Sequence, residues 1–127
     1  MLRACRRLLR PGGGTAFYTI FIPPGLSESA YRRAMKLGPA RAGSRRREHE
    51  ELLRSAGFVK VSETDLTSEF LLITRQRIEA RERHSADLRQ SLGDSEFEEN
   101  QSEGRAQIEA IEAGLLRRSL FVAQRPR

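Results

Sequence analysis

The side chains best suited to nucleophilic or metal-based chemistry are few and lie far apart in the sequence. Cys5 is the only cysteine, and His49 and His84 are the only histidines. Zinc sites draw their ligands from short, regular spacings of such residues, and that pattern is absent from this sequence. We therefore interpret both histidines as surface or packing residues. A nucleophilic pair between Cys5 and a histidine stays open, although the surrounding sequence does not support it.

Two charged clusters have simpler interpretations than ion binding. Residues 45–47 are all arginine and stand at a predicted helix start, where they could bind phosphates. Glu48, Glu50 and Glu51 follow at once, which favours a solvated helix face. A second cluster, of four acids within 94–99, lies at a predicted helix start, where negative charge stabilises the helix dipole. Neither cluster requires a metal.

Gly12, Gly13 and Gly14 form the only glycine cluster. A loop that cradles a phosphate lies between a strand and a helix, so that the helix amino terminus faces the ligand. Here the glycines follow Pro11 and precede an apolar strand. The order predicts a corner at which Pro11 ends a helix and the three glycines supply positive φ angles.

Composition indicates one small domain with a modest core. The chain has 127 residues and a net charge of +6. Its pI is near 10.6 and its mean hydropathy is −0.57. No apolar run in the sequence is long enough to span a membrane. One cysteine cannot form an internal disulfide and fits a reducing compartment. The positive charge invites a nucleic-acid interpretation. However, Lys36 and Lys60 are the only lysines, and the arginines are interleaved with 17 acids, which favours a coding bias over one basic surface.

The elements from residue 15 to 63 follow a strand–helix–strand order. The strand 15–22 carries no charge, and its near-continuous apolar pattern predicts cover by helices on both faces. Ser27 is predicted to cap a helix. Ser44 is a candidate cap for a second helix, 45–56, which Gly57 closes in a left-handed conformation. The half-exposed strand 58–63 completes a parallel crossover unit.

The second half of the sequence predicts a helical hairpin and a final strand. A helix from 68 to 92 is closed by Gly93, and a second helix runs to about residue 118. Ser95 and Glu98 have capping-box spacing at its start. Gly104 and Gly114 are expected to weaken it by about 1 kcal/mol each. The short link predicts an antiparallel pair, followed by the apolar strand 119–124.

The amino terminus bears on localisation. Residues 1–10 carry four arginines, and no acid appears before Glu28. Such a start is found in mitochondrial transit peptides, but serine is absent until Ser27. We favour a surface helix whose basic residues complement the dipole at its carboxyl end. The expected location is cytoplasmic, with a mitochondrial location as the alternative.

Two motifs carry a family resemblance over nearly the whole chain. They are Leu9-Arg10-Pro11-Gly12-Gly13-Gly14 before the strand 15–22, and Leu53-Arg54-Ser55-Ala56-Gly57-Phe58 before the strand 58–63. Both resemble the carboxyl-terminal half of class I S-adenosylmethionine-dependent methyltransferases. In that family such motifs lead into the fifth and sixth strands of a seven-stranded sheet. The resemblance implies that the last strand, 119–124, is inserted antiparallel between them.

The resemblance implies an α/β fold with a partial Rossmann-like sheet, made of the last three strands, and a long helical hairpin before the final strand. Residues 1–127 then form a single incomplete domain. Its parts are a helix end and glycine corner (1–14), the strand–helix–strand unit (15–67), the hairpin (68–118), and the final strand and tail (119–127).

The departures from the family concern the cofactor. The family binds S-adenosylmethionine with a glycine-rich loop after its first strand and an acid at the end of its second, and neither has a counterpart here. The resemblance implies that the intact family member binds S-adenosylmethionine and that this chain alone binds none. We expect a fragment or truncated product of a methyltransferase acting on a small molecule, inactive by itself, with catalytic residues not identified.

Five residues are candidates for the substrate side. Ligands of open α/β sheets bind beyond the carboxyl ends of the strands. This rule predicts an apolar lid formed by Phe21, Ile22, Pro23, Pro24 and Tyr31. The alternative, weighed equally, is that these residues merely cover the sheet. The hairpin 68–118 is interpreted first as structural packing, with a second lid or a dimer surface as alternatives.

Two other functions stay open. The chain could be a small basic nucleic-acid-binding protein, which the mixed charges disfavour, or a helical protein-interaction module without catalysis. No membrane partner is expected. Loss of the preceding strands would leave one edge of the strand 15–22 bare, so self-association through that edge or through the hairpin is a further possibility.

Overall fold

The computed structural model describes residues 1–37 and 48–127, and these residues form six helices and three strands. The predicted cap Ser44 and the arginines 45–47 lie outside the described residues. Along both described ranges, none of the helices has the length and apolarity of a membrane crossing. In chain order the elements are α1 (Leu2–Leu8), β1 (Gly14–Phe21), α2 (Glu28–Leu37), α3 (His49–Ser55), β2 (Val59–Asp65), α4 (Thr67–Arg83), α5 (Ser85–Leu92), α6 (Asp94–Glu112) and β3 (Arg117–Gln124).

The three strands form one sheet in the order β1-β3-β2. Strand β3 is antiparallel to both neighbours, with Phe17 opposite Phe121 on one side and Thr64 opposite Leu120 on the other. Strands β1 and β2 therefore run parallel to each other with β3 between them. This arrangement confirms the predicted partial Rossmann-like sheet with an inserted antiparallel strand.

The predicted corner before β1 is present, but only one of its glycines has a positive φ. Gly12 has φ 78°, and its amide donates to the carbonyl of Arg125 at 3.0 Å. Gly13 is required for a different reason, because a Cβ there would lie 2.8 Å from the carbonyl oxygen of Arg10. Gly14 is already the first residue of β1. The prediction of positive φ angles at all three glycines was therefore wrong for Gly13 and Gly14.

The carboxyl end of α1 is held by the opposite end of the chain. The guanidinium Nη1 of Arg125 donates to the carbonyl of Arg6 at 3.3 Å and also to the carbonyl of Leu9. The carbonyl of Arg6 also accepts the amide of Leu9, the C-cap residue, at 3.2 Å. A cation is favoured at this end of a helix by the helix dipole. The amide of Arg125 also donates to the carbonyl of Gly13 at 2.8 Å, so the residue that follows β3 is bonded both to the end of α1 and to the corner before β1.

The core consists of two clusters on different sides of the sheet. The sheet cluster lies under α1 and α3, and the helical cluster lies at the carboxyl end of β1 among α2, α4 and α6. The sheet cluster contains Phe21, Leu53, Phe58, Phe121 and Ala123. The helical cluster contains Ile22, Ala34, Phe70, Ala110, Ile111, Leu115 and Leu116.

Strand β1 differs from the prediction in its burial. The sequence predicted cover on both faces, whereas burial alternates along the strand. Phe17 and Phe21 face the sheet cluster, but Tyr18 on the other face is 59% exposed. The prediction of two covered faces was wrong because, within the described ranges, the helices that pack on the middle of β1 lie on one face only. An apolar run shows that a strand can be buried on both faces, but it does not show which elements cover those faces.

The helical region is antiparallel, as predicted, but its boundaries differ. The predicted helix 68–92 is divided at His84, whose φ and ψ of −108° and 22° separate α4 from α5. Ion pairs connect Arg75 with Glu112 and Arg89 with Glu98. A residue in α4 is therefore paired with the end of α6, and a residue in α5 is paired with the start of α6. This order confirms the antiparallel hairpin.

The ends of α6 contradict two predictions. The helix begins at Asp94 after Gly93 (φ 89°), with no side-chain capping bond, so the capping box at Ser95 was wrong. Gly114 does not weaken the helix interior, because α6 already ends at Glu112. Gly114 has φ 74°, and the amide of Leu115 donates to the carbonyl of Ala110 at 2.8 Å. This geometry is that of a Schellman motif, in which glycine ends the helix.

The contact between α4 and α6 is close because α6 carries a glycine there. A Cβ built on the buried Gly104 would lie 2.9 Å from Cδ1 and 2.9 Å from Cγ1 of Ile78. Next to it, the buried side chain of Gln101 donates to the carbonyl of Ile78 at 3.2 Å and to Glu82 at 2.9 Å. The interface therefore combines a small residue with a polar bridge between the two helices.

Candidate functional site

The five predicted lid residues lie together at the carboxyl end of β1, but they differ in exposure. Phe21 is 2% exposed and belongs to the sheet cluster, whereas Ile22 is 1% exposed and belongs to the helical cluster. Pro23, Pro24 and Tyr31 are half-buried. In this conformation only these three of the five are accessible to a ligand, and Tyr31 packs against the helical cluster that contains Ile22.

Helix α2 holds Tyr31 in place. Ser27 caps the helix as predicted, because its Oγ accepts the amide of Ala30 at 3.1 Å. Tyr31 packs against the helical cluster on the inner face. On the outer face an exposed ion pair joins Arg33 to Glu109 of α6 at 2.9 Å. Helix α2, which carries Tyr31, is thus fixed to the hairpin by apolar packing, with a weak contribution from the surface ion pair.

A polar cluster that the sequence reasoning missed lies at the carboxyl end of β2. Oδ1 of Asp65 accepts the amide of Thr67 at 2.9 Å and also its hydroxyl. Nη2 of Arg117 lies 3.3 Å from Oδ2 of Asp65 and 4.0 Å from Oε2 of Glu63. The hydroxyl of Thr67, followed by its amide and by Arg117, lowers the pKa of Asp65, while partial burial opposes this shift.

Both oxygens of Asp65 are therefore occupied by protein groups. Thr67 also accepts the amide of Arg118 through its hydroxyl at 3.3 Å, and the amide of Leu66 donates to the carbonyl of Arg118 at 2.8 Å. These contacts tie the end of β2 and the start of α4 to the start of β3. An ionised carboxylate so occupied acts as a structural clamp rather than as a general base.

His49 is a packing residue, in agreement with the sequence interpretation. Its ring contacts Phe21 in a T-shaped arrangement at 4.7 Å between centroids and stacks with Phe121 at 5.0 Å. The guanidinium of Arg117 lies 5.5 Å from the Phe21 centroid. A series of contacts from the buried Phe21 and Phe121 to His49 and Arg117 thus connects the carboxyl ends of β1 and β2. These residues lie far apart along the chain, so no local sequence pattern predicts the contacts.

The remaining candidate residues do not form a reactive site in the part of the chain that is described. Sγ of Cys5 contacts Oγ1 of Thr15 at 3.8 Å within the sheet cluster, and His84 is exposed at the α4–α5 junction. No group of three or more histidine, cysteine or acidic residues among the described residues could hold a metal ion.

Two grooves lie away from the carboxyl ends of the strands. One, of about 420 Å³, is at the amino end of β2 and is lined by α1 arginines; one of them, Arg6, donates to the carbonyl of Gly57 at 3.4 Å. The other, of about 210 Å³, lies between α4 and α6 and is polar, with Arg77, Arg81 and Glu103 among its residues. Neither groove contains a proposed lid residue.

By sequence, no protein-family profile and no curated protein matches this chain. Solved structures do match it. Phosphoethanolamine N-methyltransferase 2 of Haemonchus contortus, solved with phosphomonomethylethanolamine and S-adenosylhomocysteine, has a TM-score of 0.83 at 19% identity. The similarity covers 99% of this chain and 29% of that protein.

Two further structures extend the comparison. A putative sarcosine dimethylglycine methyltransferase of Galdieria sulphuraria has a TM-score of 0.80 at 13% identity, over 98% of this chain and 46% of that one. The [4+2]-cyclase SpnF has a TM-score of 0.61 at 16% identity, over 98% of this chain and 43% of that one. The chain thus spans less than half the length of each of these proteins. Because a cyclase is among them, the shared fold does not by itself specify the reaction.

Proposed function

The chain has the fold of the carboxyl-terminal part of class I S-adenosylmethionine-dependent methyltransferases, and from this premise we propose that it forms the substrate-side part of such an enzyme acting on a small molecule. The observation that carries the proposal is the sheet itself, in which β3 is inserted antiparallel between two parallel strands. Two of the similar structures are named as methyltransferases of small amines.

The described residues do not fit S-adenosylmethionine by themselves. The loop after β1 contains Pro23 and Pro24, which have no amide donors, and the amide of Ala30 in the first turn of α2 is taken by Ser27. After β2, the amide of Thr67 is taken by Asp65. Neither strand–helix junction thus offers the row of free amides that a glycine-rich loop provides. We propose that this chain is inactive alone and that another part of the domain holds the cofactor, which supplies the methyl group.

The contribution of this chain would be to bind and shield the acceptor. Pro23, Pro24 and Tyr31 present a half-buried, largely apolar surface beyond the carboxyl end of β1, where ligands of open α/β sheets bind. Tyr31 packs against the helical cluster that contains Ile22, and Phe21 places the end of β1 in the sheet cluster. Such a surface can orient an acceptor and exclude water from it, and these effects are a large part of catalysis in group transfer.

The proposal is tested by following labelled methyl groups. The purified chain, and the assembly that it forms when affinity-tagged in its source cells, are each incubated with S-adenosylmethionine labelled in the methyl group. Phosphoethanolamine, sarcosine and dimethylglycine are supplied separately, and mass spectrometry locates the label. We expect no transfer by the chain alone and transfer to a small molecule by the assembly.

Two results would overturn this proposal. One is label found only in nucleic acid or protein. The other is an inactive assembly together with steeply salt-dependent retention of the chain on DNA or RNA, which would favour the basic nucleic-acid-binding alternative. A Tyr31→Ala variant provides the matched comparison, since it should raise KM for the acceptor while leaving cofactor binding by the assembly unchanged.

A further inference from the structure

The groove at the amino end of β2 is lined by positive charge. It has a volume of about 420 Å³ and lies between Arg3, Arg6 and Arg7 of α1 and residues 55–57 at the end of α3. Its lining contains neither an acid nor an aromatic ring. Small-molecule sites of proteins have volumes of about 300–1,000 Å³, so this groove has the size of a ligand site.

Arg6 is fixed by the protein, and a glycine makes room for it. Its Nε donates to the carbonyl of Gly57 at 3.4 Å. Gly57 has φ 93°, and a Cβ at that position would lie 2.7 Å from the same Nε. One wall of the groove is therefore set by a specific contact between α1 and the turn that follows α3.

Arg3 and Arg7 have no comparable partner in the part of the chain that the structure describes. Both residues are exposed, and neither takes part in an ion pair there. The carboxyl end of α1 is already bonded to Arg125, so these two arginines are not required to complement that helix dipole. The groove thus holds two positive charges without a counter-charge among the described residues.

The spacing of these two arginines places both charges on one face of α1. Arg3 and Arg7 stand at i and i+4 of the helix, where side chains are neighbours and like charges destabilise the helix. An anion that bound to both guanidinium groups would remove this repulsion. The planar, forked donors of arginine match the oxygens of a phosphate group.

We propose that this groove, which we name the arginine groove, binds the phosphate group of a small phosphomonoester through Arg3 and Arg7. A phosphomonoester carries a charge of about −1.5 to −2 at pH 7, which matches two guanidinium groups. A nucleic acid fits less well, because each phosphodiester carries one charge and the lining has no aromatic ring on which a base could stack.

The arginine groove is separate from the acceptor surface described above. Gly57 in its lining comes shortly before β2, and β2 has seven residues. At about 3.3 Å per residue, the groove lies about 20 Å from the carboxyl end of that strand. A ligand in the groove would not touch an acceptor there, so the inference does not rest on the proposed function.

The experiment is a nuclear magnetic resonance titration of the full-length, ¹⁵N-labelled chain with glycerol 3-phosphate. The amide of Gly57 and the Nε–H of Arg6 report on the groove, and the amide of Thr67 reports on the far end of β2. We expect saturable shifts of the first two signals and none at Thr67. Dimethyl phosphate, a diester with one negative charge, should bind about tenfold or more weakly.

An Arg3→Gln/Arg7→Gln double variant should weaken glycerol 3-phosphate binding about tenfold or more, because it removes both phosphate donors. The matched control is Arg32→Gln/Arg83→Gln, which removes the same charge from two exposed arginines of α2 and α4 and should bind as the original chain does. The single variants Arg3→Gln and Arg7→Gln, which should each weaken binding, carry the test if the double variant does not fold.

Three results would overturn this inference. One is the absence of a saturable shift at Gly57, and another is equal affinity for the monoester and the diester, or equal loss in the test and control variants. The third is tighter binding of an oligonucleotide without terminal phosphates than of glycerol 3-phosphate, which would assign the groove to nucleic acid. None of these measurements follows methyl transfer, so they leave the proposed function to its own test.

Discussion

The contact between Gly104 and Ile78 predicts a strong energetic coupling between α4 and α6. A Gly104→Ala substitution should gain about 1 kcal/mol of helix propensity. However, the new Cβ would lie 2.9 Å from two carbons of Ile78, and overpacking of this kind costs about 1–3 kcal/mol. We expect a net loss of about 1 kcal/mol in the free energy of unfolding.

The partner substitution removes the cause of the clash. Ile78→Ala deletes both carbons that the new Cβ would meet, and alone it should cost about 1–2 kcal/mol, since Ile78 is only half-buried. In the double variant the clash is absent while the propensity gain remains. The double variant should therefore be more stable than the sum of the two single effects predicts, by about 1–3 kcal/mol.

The assay is urea unfolding of the four proteins, followed by far-ultraviolet circular dichroism. Ser102→Ala serves as a control for propensity, because Ser102 is exposed on the same helix and should change stability by only a few tenths of a kcal/mol. Additivity within about 0.5 kcal/mol, or a Gly104→Ala variant more stable than the original chain, would refute the close-packing argument.

Three further predictions concern local structure. Ser27→Ala should lower stability by about 1 kcal/mol in urea unfolding, because the amide of Ala30 loses its cap. Gly114→Ala should cost about 1 kcal/mol in the same assay, since φ is 74° and no atom lies within 4 Å of the added Cβ, so the effect is backbone strain alone. The pKa of Asp65 is lowered in the folded chain, so its stabilisation is present above the ordinary carboxyl pKa of about 3.9 and is lost as pH falls through the lower folded value. The Tm of Asp65→Asn should accordingly fall less than that of the original chain when the pH is lowered through this window.

Each of these predictions has a matched control. Ser29→Ala should leave stability nearly unchanged, because the contact of Ser29 with Ser27 is an exposed pair of hydroxyls; an equal loss would contradict capping. A Gly114→Asn variant should be less destabilised than Gly114→Ala, since asparagine tolerates the left-handed region. For Asp65, identical acid slopes of Tm in the two proteins would contradict the pKa argument.

The sequence was most informative where a local rule determines a local structure. Gly12, Ser27 and Gly57 have the conformations or bonds that their types predict at a corner, a helix start and a helix end. The order of the three strands followed from the family resemblance, because periodicity alone could not place β3 between the other two.

The missed features depend on contacts between distant residues. The polar cluster joins Asp65 to Arg117, which lie 52 positions apart, and no local pattern marks such a pair. The break at His84 could not be predicted, because neither proline nor glycine occurs next to it. Gly114 was assigned to the helix interior because apolar residues continue beyond it at helical spacing, although its positive φ ends α6.

The order of the strands along the chain has a consequence for synthesis. Both β1 and β2 pair only with β3 in the part of the chain that is described, and β3 spans Arg117–Gln124 near the carboxyl terminus. While the ribosome is still making the hairpin, β1 and β2 have no strand of this sheet to pair with. The sheet can therefore form only after the last strand has left the exit tunnel. Until then the uncharged β1 lacks the one strand with which it pairs among the described residues, and unpaired strand edges of this kind are prone to aggregation.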